Sequence, residues 1–266
     1  MVTRTPPFLS VVLPVYNEEE RLEQNVQKIS DYLTRTYPDH EIIAVDDGSS
    51  DRSPTILQAL ATRIPRFRAI QYSPNAGKGM AVRTGMAAAQ GEWIATVDSD
   101  LEHPIEMLPD FFTVQKETGA KIVVGSKRHP RSVVIYPRLR RFLSRSYGLL
   151  LASAFSLPVV DTQVGFKLFH RDTSSKFVSH LLVKRFAFDL ELLVVQHRVG
   201  FLIAEAPVTL RFNRPGAGRI RIGTVLNIAR ETAGIWYRLY ITRFYDQTFG
   251  IPPQASQDAS LFRVPN

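Results

Sequence analysis

The chain predicts an α/β fold: a Rossmann-like, mostly parallel sheet with helices on both faces and a C-terminal helical extension. Three observations lead there. Apolar, β-branched runs alternate with segments of helical apolar spacing, in the order βαβαβαβ from Phe8 to Val97. Acidic clusters close two of the strands, and open α/β sheets bind ligands beyond the carboxyl ends of their strands. The 266 residues, 44% hydrophobic and 22% charged, have the composition of a folded chain able to bury a substantial core.

Each element follows in order. Phe8 to Val15 is the first strand, and Glu18 to Tyr37, with Leu22, Val26, Ile29 and Leu33 at helical spacing, the first helix. Glu41 to Val45 is a second short strand. Ser53-Pro54 starts a helix through Leu60, since the missing proline N–H does no harm in a first turn. Phe67 to Tyr72 reads as the third strand, Lys78 to Gln90 as a helix rich in Ala and Met, and Trp93 to Val97 as the fourth strand. Leu108 to Thr118 is then helical and Lys121 to Val124 a strand. The rhythm becomes less regular across a basic stretch from Lys127 to Arg145. Phe188 to Arg198 reads as a helix, with strands at Phe201 to Ala206 and Val208 to Phe212 around Pro207. Ile222 to Tyr245 has helical spacing with Trp236, Tyr237, Tyr240, Phe244 and Tyr245 along it. The expected organisation is a main domain over 1–213, a basic and aromatic helix over 214–249 and a flexible, Pro-, Gln- and Ser-rich tail over 250–266.

Composition narrows the classes. Cysteine is absent, which removes disulfide frameworks and thiolate metal sites and is compatible with a reducing compartment. The first residues lack the apolar core of a signal peptide, so secretion by that route is not expected. The longest uncharged apolar stretch, Ser146 to Val160, contains Pro158 and is too short for a membrane span. A net charge of +8 suits an acidic partner, whether nucleic acid, anionic lipid or a phosphorylated substrate.

The acidic clusters carry the chemistry. Asp98-Ser99-Asp100 puts two carboxylates at i and i+2 after an apolar strand, on one side of it, where both can approach one hard divalent cation bridging a diphosphate. Asp46-Asp47-Gly48-Ser49-Ser50-Asp51 closes another strand. An isolated Asp-Ser-Asp is most simply a solvated turn; the pair of clusters points to a nucleotide and its metal. Asn75-Ala76-Gly77-Lys78-Gly79 suits a backbone passing close to an anion, with Lys78 as a point charge, yet fits neither a Walker A loop nor a dinucleotide fingerprint. His103 reads as a loop residue, since hard cations favour oxygen donors, and no zinc spacing joins the other histidines.

With Pro14-Val15-Tyr16-Asn17-Glu18 ahead of them, these motifs stand in the order that resembles the family 2 inverting glycosyltransferases of GT-A fold. Gly125-Ser126-Lys127-Arg128, Asp161-Thr162-Gln163-Val164-Gly165-Phe166-Lys167 and Phe188-Asp189-Leu190-Glu191-Leu192-Leu193 are most similar to the polyprenyl-phosphate sugar synthases, the dolichyl-phosphate β-glucosyltransferase branch in particular. The resemblance spans roughly Leu9 to Arg211. Unlike the eukaryotic branch, the chain is not expected to carry an N-terminal membrane anchor. The Gln-x-x-Arg-Trp motif of processive synthases is also missing, so long-chain synthesis is not expected.

The resemblance implies a nucleotide-sugar donor, UDP-glucose or GDP-mannose, held by Pro14, Tyr16, Glu18, Asp46, Asp47, Lys78, Asp98 and Ser99. Mg2+ or Mn2+ would sit on Asp98 and Asp100. It places Asp161 by the acceptor and Asp189 on a helix lining the same pocket, as the leading catalytic carboxylates. A polyprenyl phosphate is already an anion and needs no obligatory base, whereas a soluble hydroxyl acceptor makes one of them a true base. Ser126, Arg128, Arg138, Arg141 and Arg145 are the candidates for lipid phosphate, because arginine forks match phosphate oxygens. Arg211, Arg214, Arg219 and Arg221 before the aromatic helix suggest a peripheral contact at the cytoplasmic membrane face, or else a packed helix or dimer face. Nucleic acid is not an expected partner: a basic nucleic-acid or lipid-binding module gives no reason for the ordered carboxylates.

Overall fold

The computed structural model describes residues 6–134, 148–210 and 222–252. Its main sheet has seven strands, in the spatial order β3 (Phe67–Tyr72), β2 (His40–Asp47), β1 (Leu9–Val15), β4 (Trp93–Thr96), β7 (Lys167–His170), β5 (Ile122–Ser126) and β8 (Ile203–Pro207). β1 pairs in parallel with β2 and β4, β2 with β3, and β5 with β8. β7 runs antiparallel to both of its neighbours, β4 and β5. A small second sheet joins β6 (Val133–Val134) to β9 (Thr209–Leu210).

The central strands are apolar throughout because both faces are covered. Leu9, Val11, Leu13 and Val15 of β1 enter one core with α1 (Leu22–Thr36), α2 (Ser53–Arg63) and α4 (Leu108–Thr118). Val12 enters the opposite core with α3 (Lys78–Ala88), α5 (148–155), α6 (Arg171–Val178) and α7 (Phe188–Arg198). Phe111 of α4 and Phe166, both fully buried, meet with ring centroids 4.7 Å apart, fixing the chain that enters β7.

Three features differ from the sequence expectation. The first helix starts at Leu22, four residues after Glu18, because the intervening residues tie the β1–α1 loop to the β2–α2 loop. Asn17 is left-handed (φ 52°); its side-chain oxygen accepts the Ser50 N–H at 2.9 Å, and its own N–H donates to Ser49 Oγ at 2.9 Å. The irregular middle of the chain contains α5, β7 and α6, none of which has a strong local signal. The aromatic C-terminal segment is not one helix. α8 (Ile222–Trp236) ends in a π-helical turn (Tyr237–Ile241), and the chain turns at Arg243 (φ 51°) into α9 (Phe244–Phe249).

That turn has a packing reason. It carries Tyr245 to complete burial in the core of α7, and Asp246 receives a bidentate pair from Arg198, both contacts at 2.8 Å. Among the described residues no helix is long and apolar enough to cross a membrane.

Candidate active site

β1, β2 and β4 end on the same side of the sheet, and a cavity of about 340 Å³ opens there. Its walls include Pro14, Tyr16, Glu18, Asp47, Lys78, Asp98, Ser99 and Asp100, so residues separated by more than eighty positions meet around one space. Asn75 and Gly77 complete the floor. Arg185 and Phe186 form a wall that the sequence reading missed. The basic-aromatic run Lys184-Arg185-Phe186 just before α7 was the available signal. Tyr16 and Phe186 expose about half of their surface at the rim, offering flat rings to a ligand.

The two acids that end β2 are used differently. Asp46 is fully buried, and both its oxygens stand 3.4 Å from the Ser49 N–H. Asp47 accepts from Tyr72 Oη at 2.8 Å, Asn75 Nδ2 at 2.8 Å, the Ala76 N–H at 2.8 Å and the Gly77 N–H at 2.9 Å. One carboxylate therefore folds the 74–77 loop back over the strand end. Burial and the neighbouring Asp47 raise the Tyr72 phenol far above its ordinary range, which keeps it a donor. Gly48, at φ +68°, lets the chain turn beneath that loop; a Cβ there would meet Asn75 N at 2.7 Å.

Asp98 and Asp100 follow β4 as the sequence placed them. The Asn25 amide of α1 donates to the Ser99 carbonyl at 2.8 Å, and Asp100 accepts the Glu102 N–H at 3.0 Å, so the acidic turn is fixed from two sides. Lys78 reaches Asp98 Oδ1 at 2.6 Å. Burial alone would lower the Lys78 ammonium, but Asp98, Asp189 and Asp100 raise it, so it stays charged. Burial would likewise raise Asp98, and the Lys78 ammonium, with Lys167 adding to it, holds it below the usual carboxylate range.

The Asp161 to Lys167 segment lies directly against this pair. A Cβ at Gly165 would fall 2.0 Å from Asp98 Oδ2, so only glycine leaves the carboxylate its place. Lys167, 1% exposed, donates to the Val164 carbonyl at 2.5 Å and to Asp189 Oδ1 at 2.8 Å. Asp189 thus joins the same charge cluster, although it does not line the cavity.

Asp98 and Asp100 offer oxygen donors only, and Asp98 already holds one positive charge. Among the described residues no three His, Cys, Asp or Glu side chains are grouped to hold a metal ion. A cation here would take its other ligands from a diphosphate and water, a donor set that fits Mg2+ or Mn2+.

The remaining candidates lie elsewhere. Asp161 is buried, and its carboxylate accepts the Lys127 N–H at 3.0 Å, with the Lys127 ammonium at 3.9 Å. Ser126 is fully buried, its Oγ 3.3 Å from the Arg128 N–H, and the Arg128 guanidinium packs over Gly148. His103 is buried with Nδ1 3.2 Å from the Thr209 carbonyl; burial lowers its pKa and leaves it neutral. Arg138, Arg141 and Arg145, like Arg211, Arg214, Arg219 and Arg221, lie outside the described residues.

Comparison with known proteins gives the family and the fold. The model of the family described as glycosyl transferase family 2 matches residues 10–177. A dolichyl-phosphate beta-glucosyltransferase of Trichomonas vaginalis is 32% identical over 251 residues, covering 86% of this chain and 73% of its own. The enzyme of that name from Homo sapiens is 33% identical over 217 residues, covering 75% and 66%. Glucosyl-3-phosphoglycerate synthase from Mycobacterium tuberculosis, solved with Mn2+, uridine-diphosphate-glucose and phosphoglyceric acid, matches 92% of this chain and 81% of that one. Its TM-score is 0.63 at 19% identity, a likeness of fold.

Proposed function

The chain belongs to glycosyl transferase family 2, as a nucleotide-sugar-dependent inverting enzyme of GT-A fold, and on that premise we propose that it transfers one glucosyl group from UDP-glucose to a polyprenyl phosphate. The observation that carries the donor half is the convergence of Asp98, Asp100 and Lys78 on a cavity rimmed by Tyr16. The names of the 32–33% identical relatives support glucose and the lipid phosphate.

In this reading the nucleobase packs against Tyr16 beside Pro14, and the diphosphate lies between Lys78 and the acidic turn. A divalent cation on Asp98 and Asp100 would neutralise the departing diphosphate. Lys78 supplies a fixed ammonium to the same charge, and Arg185, packed against Gly77, a second cation in the cavity wall. The acceptor oxygen attacks the anomeric carbon opposite the UDP oxygen. The new C–O bond forms as the old one breaks, UDP leaves with the electron pair, and the configuration inverts. A phosphate acceptor needs no base, so the work left for Asp189, held by Lys167 behind the cavity wall, is to add its charge to the cluster that keeps Lys78 an ammonium.

A second reading, transfer to a soluble hydroxyl acceptor, draws on the inward packing of Ser126 and Asp161. Asp189 would then have to take the proton. Incubation with labelled UDP-glucose or GDP-mannose, Mg2+ or Mn2+, a short polyprenyl phosphate and a soluble phosphorylated alcohol separates these. Label from UDP-glucose extracted into organic solvent with the prenyl phosphate is expected. Label confined to water-soluble product would replace the lipid reading with the second, and label from GDP-mannose alone would replace the donor.

A further inference from the structure

Beside the donor cavity lies a larger one, about 590 Å³, between the 182–185 loop and α8. Lys184, Arg185, Arg230 and Arg238 line it against one acid, Glu231, which is turned toward the Ala187 N–H, 3.2 Å away. Arg238 is paired with the buried Glu191, whereas Lys184, Arg185 and Arg230 have no acid within ion-pair reach among the described residues. A space of this size holds a small molecule, and unpaired cations converging on it select an anion.

The walls are set without a ligand. Glu191, wholly inaccessible, accepts the N–H groups of Leu182 and Val183 at 3.0 and 2.8 Å through one oxygen. Its other oxygen takes the Tyr245 hydroxyl at 2.5 Å and Arg238 Nη2 at 3.1 Å. One carboxylate therefore holds the loop and a guanidinium on facing walls. Along α8 and its π-helical turn, Arg230, Gly234 and Arg238 recur every fourth residue and share the side that faces the cavity. Gly234 has no side chain to fill the gap between the two cations, and the atoms nearest to where its Cβ would stand belong to the Arg238 guanidinium. The result is a trough with an arginine toward each end and Lys184 and Arg185 across from it. Leu226, Trp236 and Tyr240, which the same helix exposes, do not line it, so its recognition is ionic.

The two cavities meet at one strip of backbone. The Lys184 carbonyl accepts the Met80 N–H at 2.8 Å, and a Cβ at Gly79 would meet the Lys184 and Arg185 carbonyls at 2.9 and 2.6 Å. The 184–185 segment thus rests on the first turn of α3, beside Lys78. Ala76 lines the larger cavity while its neighbours Asn75 and Gly77 line the donor cavity, and Arg185 lines both. One guanidinium cannot serve two anions fully at once.

We propose that the trough is a second anion site for a small bisphosphate, whose phosphates pair with Arg230 and Arg238 and whose occupation draws Arg185 away from the donor's diphosphate. The ligand does not react there, so it need not reach Lys78, Asp98 or Asp100; its inhibitory effect, though not its binding, rests on the transferase reading above. Arginine forks match phosphate oxygens, and two phosphates carry charge enough for three unpaired cations, where a dicarboxylate carries less. Linkage makes the antagonism mutual: the donor weakens the bisphosphate by the factor that the bisphosphate weakens the donor.

Isothermal titration of the full chain with fructose 1,6-bisphosphate, without metal or nucleotide, should show one saturable site. Arg230→Gln should weaken it about tenfold, the loss of one charge-assisted contact, with Arg230→Lys intermediate and thermal melting unchanged. Gly234→Leu, which fills the trough and favours the helix, should abolish binding. Succinate should bind about tenfold more weakly or worse. With free Mn2+ held constant, the bisphosphate should raise the Kd of UDP-glucose about fivefold in wild type and leave it unchanged in R230Q. Equal bisphosphate affinity in wild type, R230Q and Gly234→Leu overturns the site. A rise in the UDP-glucose Kd that persists in R230Q would put the bisphosphate in the donor cavity itself and overturn it too. Arg230-dependent binding with no change in the UDP-glucose Kd overturns the inhibition. Arg230-dependent binding in a chain with no affinity for UDP-glucose upholds the site and sinks the donor assignment instead.

Discussion

Asp47 and Glu191 are both buried carboxylates that fold a loop toward the same central space, yet they organise different kinds of wall. Asp47 gathers Tyr72, Asn75, Ala76 and Gly77, all within thirty residues of it, and shapes a narrow floor under the donor cavity. Glu191 joins the 182–183 backbone to Arg238 and Tyr245 from the C-terminal extension, and shapes a wider, cationic cavity beside an apolar helix. The donor side is a set of strand ends locked by their own loops. The other side exists only because the C-terminal helices pack back on α7. A chain cut before α8 would keep the first and lose the second.

The largest effect that would sharpen this contrast is on the donor side. Asp100→Asn should lower kcat by about 100-fold or more while unfolding stays cooperative, because it removes an oxygen donor at the point where diphosphate charge develops. Turnover measured across a Mn2+ titration checks it; unchanged rates at every metal concentration would remove Asp100 from the site. Gly165→Ala should follow closely, since its Cβ displaces the Asp98 carboxylate. A loss of about tenfold or more in kcat/KM for the donor is expected, with about 1–3 kcal/mol of stability from overpacking. Full activity in this variant would show that Asp98 can move without consequence.

The two organisers come next. Asp47→Ala leaves the Ala76 and Gly77 N–H groups without their acceptor and should cost about 3 kcal/mol in urea unfolding. It should raise the KM for nucleotide sugar rather than acceptor. Glu191→Gln keeps the shape and removes the charge opposite Arg238. It should cost about 2 kcal/mol and leave the donor KM unchanged. If both variants altered the same KM, the division into two independently built walls would fail.

The smallest effect lies away from both. Burial depresses the His40 pKa below 6.5, so the folded state disfavours its charged form. Its stability contribution is complete above the unfolded value and is lost as pH falls through the folded one. Replacing His40 by Asn should flatten the acid limb of a stability-versus-pH curve below about pH 6 without touching either KM. Melting temperatures of the two proteins across that range provide the check.

Legibility followed the range of the interactions. β1 to β4 and their helices were readable because a both-faces-buried strand is apolar at every position and its helix repeats every three or four residues. Asp98, Asp100, Lys78 and Tyr16 were readable because their motifs stand at the ends of those strands. β7 was not. Its Lys167 looks like a surface residue and is buried only because Asp189, twenty-two positions later, receives its ammonium. Arg185 and Phe186 stand only in a three-residue basic-aromatic run with no periodicity to place it, and the break after Trp236 follows from where Tyr245 and Asp246 find partners on α7.

The amino-acid order by itself determined the alternating α/β plan and the acidic turns at the strand ends, because both depend on periodicity and on neighbours in the chain. Only the tertiary structure decided that β7 inserts antiparallel between β4 and β5, that Gly165 makes room for Asp98, and that Glu191 reaches Arg238. Those outcomes depend on pairing buried charges and hydrogen-bonding groups that are distant in sequence, and such partners become identifiable only when the chain has brought them within hydrogen-bonding reach.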